Sequence, residues 1–318
     1  MKLVHLAMQN LNVKEAYDRI KEHIHQTPVL QSSYINQQTG ADLYFKCENF
    51  QKGGSYKLRG ALNASLCLTE EQRSLGLGTH SSGNFAQAVA ISAKITKSNA
   101  YVIMPSNAPA VKKAATLGYG ATVTECEPTI EAREQTLEEV VRKTGATRLH
   151  PSNDVDVIIG QGTCAYELLQ VCEPLDYIVT PVGGGGVVAG TILTCNQHSS
   201  STKVIGAEPE QADDAYRSLK EGRIMPSTNP NTIADGLRTQ LGSNNFPIIK
   251  DGIDQILLVS EESIIDAMKM VWNRMKIIIE PSSATTLAAV INNPDIFKGK
   301  RVGLIITGGN VDLTKLPF

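Results

Sequence analysis

One lysine of the sequence lies where its amine could become reactive. Lys57 follows the glycine-rich turn Gly53-Gly54-Ser55-Tyr56 and begins a helical pattern. A helix N-terminus disfavours a positive charge and partial burial disfavours it further, so both lower the pKa of an amine placed there. A neutral amine near pH 7 is a nucleophile. A solvated surface lysine is the commoner situation, and the motifs that follow are what favour the reactive one.

Four consecutive glycines form a second candidate site: Gly183, Gly184, Gly185 and Gly186. They follow the strand-like run YIVTP and precede the helical run VVAGTILTC. Successive backbone N–H groups of such a turn can point at one anion, and the helix N-terminus adds a partial positive charge. The segment therefore predicts a phosphate site, with a plain strand-to-helix turn as the alternative. No Lys-Ser/Thr pair follows, which excludes a Walker loop, and the glycine spacing matches a dinucleotide-binding loop poorly.

Two further segments offer hydroxyl and amide groups to a ligand. Ser81, Ser82 and Asn84 lie in the segment THSSGNFAQ, whose backbone N–H groups at a helix start suit a carboxylate. Thr307 ends the strand-like run RVGLIIT, and its hydroxyl can bond a heteroaromatic nitrogen without requiring that nitrogen to be protonated. A simple helix cap and an incidental threonine in a glycine turn are the alternatives.

Short β-rich runs alternate with longer helical patterns, which predicts parallel α/β sheets with helices on their faces. In such sheets, ligands collect beyond the carboxyl ends of the strands. The predicted strands are Leu43–Phe45, Tyr101–Met104, Ala121–Glu125, Tyr177–Thr180, Val204–Ala207, Gln255–Val259 and Val302–Ile306. The predicted helices include Lys57–Leu68, Asn84–Ile95, Val111–Leu117, Val188–Asn196, Glu261–Arg274 and Ser283–Ile291. We also predict an amphipathic helix within residues 1–26 and a loop at 225–236.

Composition bounds the class of protein. The 318 residues carry a net charge of -2, so no basic field exists to hold nucleic acid or an anionic membrane. No apolar run approaches the twenty or so residues that span a bilayer, and no signal peptide is visible. The six cysteines are scattered without a CxxC pair, which indicates reduced thiols and a cytoplasmic location. The expected partners are small molecules or other subunits.

The order of the motifs SYKLRGA, SSGNFAQA, VGGGGVVAG and ITGGN resembles the fold type II pyridoxal-5′-phosphate (PLP) enzymes of the serine/threonine dehydratase and serine racemase family. The likeness extends from His25 to Thr314. It implies an α/β fold of the tryptophan synthase β type, with two interleaved parallel-sheet domains. Residues 1–75 and 150–318 would form the large PLP-binding domain, and 76–149 the small domain that closes over substrate. The resemblance also implies a homodimer.

The same resemblance assigns roles to individual residues. It implies that Lys57 binds PLP as a Schiff base beside Tyr56, and that Gly183 to Gly186 hold the phosphate. Asn84 would bond the ring hydroxyl, Thr307 the pyridine nitrogen, and Glu280 would lie near the ring. The substrate carboxylate would be held by Ser81, Ser82, Asn84 and Arg133.

Ser82 carries the expectation about stereochemistry. One lysine moves a proton on one face of the substrate α-carbon, so interconverting enantiomers requires a second acid/base group on the other face. Dehydratases of the family often have alanine at this position, so the hydroxyl favours serine racemisation beside loss of water to give pyruvate and ammonia. Carboxylate binding alone is the alternative. Phe85 departs from the histidine that relatives commonly have there, so any role of that imidazole is lost or replaced.

Two regulatory sites are also implied. Glu208, Ala212 and Asp214 match the divalent-cation site of the family, since two carboxylates and a backbone carbonyl suit Mg²⁺, Ca²⁺ or Mn²⁺. A solvated acidic loop is the alternative. Lys112, Tyr119 and Gln87 lie at positions that match an activating ATP site.

Rival functions remain on the same scaffold, namely an aspartate racemase and a threo-3-hydroxyaspartate or threonine dehydratase. Related aspartate racemases carry a run of serines where this chain has Pro151-Ser152-Asn153-Asp154. The single serine, and the repulsion that Asp154 would exert on a second carboxylate if it faced the site, favour serine. Two rivals come from other classes. Lys57 and Ser82 argue against a non-catalytic PLP-binding protein, and the glycine spacing argues against a Rossmann-type dehydrogenase.

Overall fold

Two sheets flanked by helices make up the framework of the molecule. The computed structural model describes residues 12–108, 110–172 and 174–318. Its strands are β1 (Val29–Leu30), β2 (Asp42–Cys47), β3 (Leu77–His80), β4 (Ala100–Pro105), β5 (Thr122–Cys126), β6 (Thr147–Arg148), β7 (Tyr177–Pro181), β8 (Lys203–Pro209), β9 (Gln255–Val259) and β10 (Arg301–Ile306).

The helices in these ranges connect the strands and cover both sheets. They are α1 (Val13–Ile20), α2 (Ser33–Thr39), α3 (Lys57–Cys67), α4 (Glu70–Leu75), α5 (Asn84–Thr96), α6 (Ala110–Gly118), α7 (Ile130–Thr144), α8 (Val155–Cys172), α9 (Gly186–His198), α10 (Asp214–Glu221), α11 (Asn245–Gly252), α12 (Glu261–Met275), α13 (Pro281–Asn292) and α14 (Pro294–Phe297). Short 3₁₀ turns lie at Glu48–Phe50, Lys52–Gly54, Glu210–Ala212 and Asp235–Leu237.

The first sheet has six strands in the order β1-β2-β10-β7-β8-β9, and the second has four in the order β5-β4-β3-β6. All neighbouring strands are parallel except β1, which pairs antiparallel with β2. Strands β1 and β2 belong to the first sheet, and the next four strands, β3 to β6, form the second sheet. Helix α8 then leads back to the first sheet, which β7 to β10 complete. Two interleaved α/β units, as expected from the resemblance, are therefore confirmed.

Some helices begin with a side-chain cap and others do not, α10, α11 and α14 among the latter. Side chains of Asn12, Ser32, Thr69, Thr129 and Ser260 cap the first turns of α1, α2, α4, α7 and α12. In contrast, α3, α5, α9 and α13 begin without a hydrogen bond from a capping side chain. The free backbone N–H groups of an uncapped first turn attract an anion or a polar ligand group. These four helices begin at the motifs singled out in the sequence.

The predicted strands correspond to seven of the ten observed, and β1, β3 and β6 were not predicted. The six predicted helices are α3, α5, α6, α9, α12 and α13, while the 18-residue α8 was not predicted. Of the expected N-terminal helix, α1 is observed and residues 1–11 lie outside the described part. Residues 225–234 are irregular, as expected, before the 3₁₀ turn that starts at Asp235. No helix in the described ranges is long and apolar enough to cross a membrane.

Candidate active site

The amine of Lys57 faces a carbonyl oxygen and two aromatic rings. Lys57 is the first residue of α3, and its Nζ donates to the Pro151 carbonyl at 3.0 Å. The same nitrogen lies 4.9 Å from the centroid of the Tyr56 ring and 5.9 Å from that of Phe85. Desolvation by the surrounding protein lowers the pKa of Lys57 from 10.5 to about 8. The lowered pKa increases the neutral, nucleophilic fraction of this amine near pH 7.

A polar ring joins four distant segments beside this amine. Asn84 Nδ2 donates to the Glu280 carboxylate at 3.0 Å, and Asn84 Oδ1 accepts from Asn310 Nδ2 at 3.0 Å. Asn310 Nδ2 also donates to the Gly53 carbonyl, in the turn before Lys57. Burial raises the pKa of Glu280 to about 7, with the charge of Asp235 acting in the same direction. These hydrogen bonds bring Asn84 and Glu280 to the segment of Lys57.

Thr307 follows β10 and is buried with Ser283 of α13. The two hydroxyls are 3.0 Å apart, and Ser283 Oγ also bonds the backbone of Gly308. The Tyr56 N–H donates to the Thr307 carbonyl at 3.0 Å, so the end of β10 is tied directly to the residue before Lys57. The structure thus places Thr307 next to the Lys57 turn, at the carboxyl edge of the first sheet.

The glycine loop lies at the end of β7 and runs into α9. Added Cβ atoms would find no room there: at Gly183 one would lie 2.9 Å from Leu237 Cα, and at Gly184 it would strike Ser152 Oγ. Gly185 has a φ of 84°, a left-handed conformation that favours glycine. Because α9 has no side-chain cap, its first N–H groups remain available to an anion. Helix α9 starts at Gly186, inside the glycine run, two residues before the predicted start at Val188.

The Ser81–Gly83 loop connects β3 to the uncapped start of α5. The Ser81 hydroxyl accepts from the Gly83 N–H at 3.4 Å, and both serines are half-buried. Three residues after Ser82, the buried Phe85 ring faces Lys57 Nζ, so this loop borders the amine.

Cationic side chains of the second sheet lie near the same loop. Arg133 in α7 has a buried Nε without a partner in the described part of the chain, and its charge lowers the pKa of His80, behind the larger effect of desolvation. Arg148 acts on His80 in the same direction. One oxygen of Asp154 accepts from the His150 N–H at 2.6 Å. The repulsion expected from Asp154 is therefore reduced, because its carboxylate is already bonded within its own turn.

Glu208 and Asp214 lie together beneath α10. Glu208 accepts from the N–H groups of Ala215 and Tyr216 at 2.9 and 2.8 Å, while Asp214 Oδ2 accepts from Leu241 N at 3.3 Å. Asp214 Oδ1 is buried and has no hydrogen-bond partner among the described residues. No group of three or more His, Cys, Asp or Glu side chains in those residues could hold a metal ion. Any cation here would thus need main-chain or water oxygens as well.

The residues of the expected nucleotide site are spread over two helices and a loop of the second sheet. Lys112 in α6 forms an ion pair with Asp235, which joins this sheet to the 3₁₀ turn at Asp235–Leu237. Gln87 is buried in α5, and Tyr119 packs against the core of the second sheet. Lys112 is therefore occupied by a carboxylate.

Comparison with known proteins decides the family. The chain matches the family described as "Pyridoxal-phosphate dependent enzyme" over residues 20–308. The protein belongs to this family of pyridoxal-phosphate-dependent enzymes. It is 52% identical to a serine racemase of Dictyostelium discoideum, covering 96% of this chain and 95% of that one. The crystal structure of that racemase superposes with a TM-score of 0.91 over 95% of this chain and 98% of the other. A β-hydroxyaspartate dehydratase of Paracoccus denitrificans is 48% identical over 95% and 96% of the two chains.

The residues present fit a PLP molecule. The side-chain-free glycine loop and the uncapped start of α9, whose backbone N–H groups remain available, suit a phosphate. The low-pKa amine of Lys57 suits an aldehyde, and the amide group of Asn84, which donates to both oxygens of Glu280, lies in the same site as a possible partner for a ring oxygen. Thr307 supplies a buried hydroxyl for a ring nitrogen.

Several site residues escaped the sequence analysis. Asn310 and Ser283 position Asn84 and Thr307, and Asn245 Nδ2 bonds both the Ser152 and Gly184 carbonyls. His150 organises the turn that contacts Lys57. An isolated asparagine, serine or histidine gives no local pattern, since its partner lies far away in the chain. The motif ITGGN ends in Asn310, and Ser283 is the first residue of the predicted helix Ser283–Ile291.

Proposed function

We propose that this protein is a PLP-dependent serine racemase that also eliminates water from serine. The observation that carries the proposal is the low-pKa amine of Lys57, set against the Ser82 loop and the hydrogen-bonded ring of Asn84, Glu280 and Asn310. The similarity to serine racemases over nearly the full chain supports serine as substrate.

In this proposal Lys57 and Ser82 divide the proton chemistry. PLP, when bound, withdraws electrons from the substrate α-carbon so that its proton can leave. Lys57 Nζ takes the α-proton of L-serine on one face, and Ser82 Oγ supplies a proton on the opposite face to give D-serine. If the β-hydroxyl instead takes up a proton and leaves as water, the product is aminoacrylate, which hydrolyses to pyruvate and ammonia. The uncapped start of α5, with Ser81 and Asn84, binds the substrate carboxylate, and Arg133 closes over it.

The binding of PLP involves the residues around the amine. Lys57 attaches it covalently beside Tyr56, while Gly183, Gly184, Gly185 and Gly186 hold the phosphate through backbone N–H groups. Asn84 bonds the ring hydroxyl, Glu280 lies near the ring and Thr307 meets the ring nitrogen. A neutral hydroxyl at that nitrogen makes a weaker electron sink than a carboxylate partner would, which favours racemisation and elimination over transamination.

A second candidate is a dehydratase of β-hydroxyaspartate. It is favoured by the 48% identical relative with that activity and by the unpartnered Nε of Arg133. A guanidinium with a free N–H can bind the second carboxylate of a dicarboxylic substrate. An aspartate racemase and a threonine dehydratase on the same scaffold would use the same residues.

One experiment separates these candidates. The purified holoenzyme is incubated in turn with L-serine, L-aspartate, L-threonine and threo-3-hydroxyaspartate, and the enantiomers, 2-oxo acids and ammonia are measured. We expect D-serine and pyruvate from L-serine at rates above those of the other three. Rapid formation of D-aspartate or oxaloacetate with little D-serine would reject serine as the substrate. Borohydride reduction followed by peptide mapping should place the cofactor on Lys57, and a labelled protein without turnover would indicate a non-catalytic binder.

A divalent cation is part of the same proposal. Glu208, Asp214 and the Ala212 carbonyl would bind Mg²⁺, Ca²⁺ or Mn²⁺, with water completing the shell. The buried and unpartnered Asp214 Oδ1 supports this, since a cation would satisfy it. The metal would be structural or activating, because the proton transfers do not require it.

The remaining expectations also stand as proposals. Residues 76–149, which include the second sheet, would form the small domain that closes over the substrate, and 1–75 with 150–318 the large one. The protein would act as a cytoplasmic homodimer; the six cysteines are unpaired, as a reducing compartment requires. ATP would activate it by binding at Lys112, Tyr119 and Gln87, where its phosphates would compete with Asp235 for Lys112.

A further inference from the structure

The turn of residues 150–154 lies between β6 of the second sheet and α8, which returns the chain to the first. Its Pro151 carbonyl accepts from Lys57 Nζ and from Gln161 Nε2, each at 3.0 Å. The position of this carbonyl therefore sets where the Lys57 amine lies. Any group that fixes the conformation of the turn of residues 150–154 therefore also fixes the position of the Pro151 carbonyl.

The imidazole of His150 closes this turn. Its Nδ1 accepts from the N–H groups of Ser152 at 3.2 Å and of Asn153 at 3.0 Å. A ring nitrogen that accepts two hydrogen bonds carries no proton, so the ring proton must be on Nε2. The N–H of His150 itself donates to Asp154. Since Pro151 has no N–H, side chains of the turn satisfy the backbone donors of residues 150, 152 and 153.

The surroundings keep this imidazole an acceptor. Burial lowers the pKa of His150 to about 4, and the charges of His80, Arg148 and Lys57 act in the same direction. These groups come from the ends of β3 and β6 and from α3, while Asp154 lies on the backbone side of the turn. The His80 ring meets that of His150 edge-on, with 6.3 Å between centroids. A positive ring would thus face three groups that disfavour it and would lose both hydrogen bonds.

The turn also touches the glycine loop. Asn245 Nδ2 donates to the Ser152 carbonyl at 2.9 Å and to the Gly184 carbonyl at 2.6 Å. A Cβ on Gly186 would come within 3.0 Å of Ser152 Cα. One short turn therefore contacts both the amine at Lys57 and the glycine loop.

We propose that His150 is a positioning residue: by accepting the N–H groups of Ser152 and Asn153, it holds the Pro151 carbonyl against Lys57 Nζ and the turn against the glycine loop. The inference rests on the proposed function for the role of Lys57. Its tests use cofactor binding and amine reactivity, so loss of serine turnover alone would not bear on it.

The first test compares His150→Leu with His150→Asn. Asparagine places its Oδ1 near the position of Nδ1 and keeps an acceptor, whereas leucine removes it. Because two hydrogen bonds are lost, we expect His150→Leu to weaken PLP binding to the apoprotein about 10-fold or more, with His150→Asn within about 3-fold of wild type. The pKa of Lys57 in the apoprotein, measured from the pH dependence of its acylation and mapped by mass spectrometry, should fall in His150→Leu, because the Pro151 carbonyl that accepts from the amine stabilises its charged form.

The matched control is His80→Leu, which removes the neighbouring imidazole, whose Nε2 has no partner among the described residues. Its PLP affinity should stay within about 2-fold of wild type. Equal weakening in His150→Leu and His150→Asn would overturn the proposal, because the acceptor would then be irrelevant. Unchanged affinity and an unchanged Lys57 pKa in His150→Leu would overturn it too.

A second measurement is read in the wild-type protein, and a variant serves only to assign the signal. In wild-type apoprotein with ¹⁵N-labelled histidine, NMR should show one imidazole with unprotonated Nδ1 and protonated Nε2 from pH 5 to pH 8, and that signal should be missing in His150→Asn. A proton on Nδ1 of His150, or a charged ring at pH 7, would reject the proposed role.

Discussion

Two groups of charged side chains lie on and around α3, and they differ in how far their buried charges are compensated. Lys46, Glu48, Arg59 and Glu167 form an ion cluster in which each side chain is 0–2% exposed. Its close contacts include Arg59 Nε to Glu48 at 2.7 Å and Lys46 Nζ to Glu167 at 2.6 Å. Two positive and two negative charges cancel there. Two residues from Arg59, on the same helix, Lys57 has a carbonyl oxygen as its hydrogen-bond acceptor.

The consequences for protonation differ accordingly. In the ion cluster, burial alone would raise the pKa of Glu48, but the Arg59 guanidinium outweighs it and the pKa is lowered. At the site, desolvation is the largest effect on both groups and opposite charges offset it only in part, so the pKa values of Lys57 and Glu280 move to about 8 and about 7. Paired charges are fixed in one state, and underpaired ones can exchange protons near neutral pH. The contrast separates a structural use of buried charge from a chemical one.

Replacing Lys57 should have the largest effect. We expect Lys57→Ala to lower racemisation and elimination about 10⁴-fold, at the upper end for loss of a general base. The unfolding free energy should not fall, because the variant removes a desolvated cation. Turnover and urea unfolding are the measurements, and Lys52→Ala, in the same turn but bonded to the His23 carbonyl, is the control that retains turnover.

The same amine predicts a pH profile for the wild-type apoprotein. With a pKa of about 8 in place of 10.5, the neutral fraction at pH 7 is larger by up to roughly 300-fold. The rate of covalent attachment of pyridoxal phosphate should therefore rise with pH, reach half of its maximum near pH 8 and level off above about pH 9. A rate that keeps rising to pH 10 would mean that Lys57 has an ordinary pKa, and the contrast with the ion cluster would be lost.

Breaking the ion cluster should come next in size. Arg59→Met leaves Glu48 and Glu167 with Lys46 alone, and removal of one partner of a buried pair costs about 3–5 kcal/mol of unfolding free energy. Adding Glu48→Gln restores neutrality, so the double variant should be more stable than Arg59→Met in urea unfolding. If the single variant lost less than about 1 kcal/mol, water would have to reach the cluster.

Part of the fold and of the site was predictable, because short segments of the sequence show the residue types that those structures require. The turn before Lys57, the glycine loop and the Asn84 helix each show residue types that a short segment needs for itself. Helix α8 was not predicted because Gly160 and Gly162 interrupt its pattern. An added Cβ would lie 2.6 Å from the Arg59 carbonyl at Gly160 and 2.5 Å from the Gly190 carbonyl at Gly162, so these glycines serve close packing against α3 and α9.

The unpredicted strands have a similar cause. β6 contains two residues and β3 four, and their place in the sheet comes from pairing with each other and with β4. The ion cluster was not predicted either, since Arg59 and Glu167 are 108 positions apart. Contacts of this kind depend on the tertiary fold, and a single sequence carries no local sign of them.

Replacing Ser82 sharpens the comparison within the site. Ser82 is half-buried in the loop that leads into the uncapped start of α5 and borders Lys57. We expect Ser82→Ala to lower racemisation of L-serine at least about 100-fold while elimination to pyruvate stays within about 3-fold. Ser81→Ala is the matched control, and it should affect both reactions alike because it alters carboxylate binding. Equal loss of both reactions in Ser82→Ala would contradict the two-face assignment.

Variants of Asp214 test whether a buried carboxylate that lacks a charged partner indicates a cation-binding site outside the active site. Burial raises the pKa of Glu208, despite two backbone donors, and Asp214 Oδ1 lacks a partner among the described residues. Mg²⁺ or Ca²⁺ at about 100 times its dissociation constant should add about 2.7 kcal/mol of unfolding free energy, seen as a higher Tm that EDTA reverses. Asp214→Asn should abolish this gain. Asp213→Asn is the control, since Asp213 already pairs with Arg217 at 2.8 Å and should leave the gain intact. If the cation still raised the unfolding free energy of Asp214→Asn, it would bind elsewhere. An incompletely compensated buried charge would then indicate a ligand site only around Lys57.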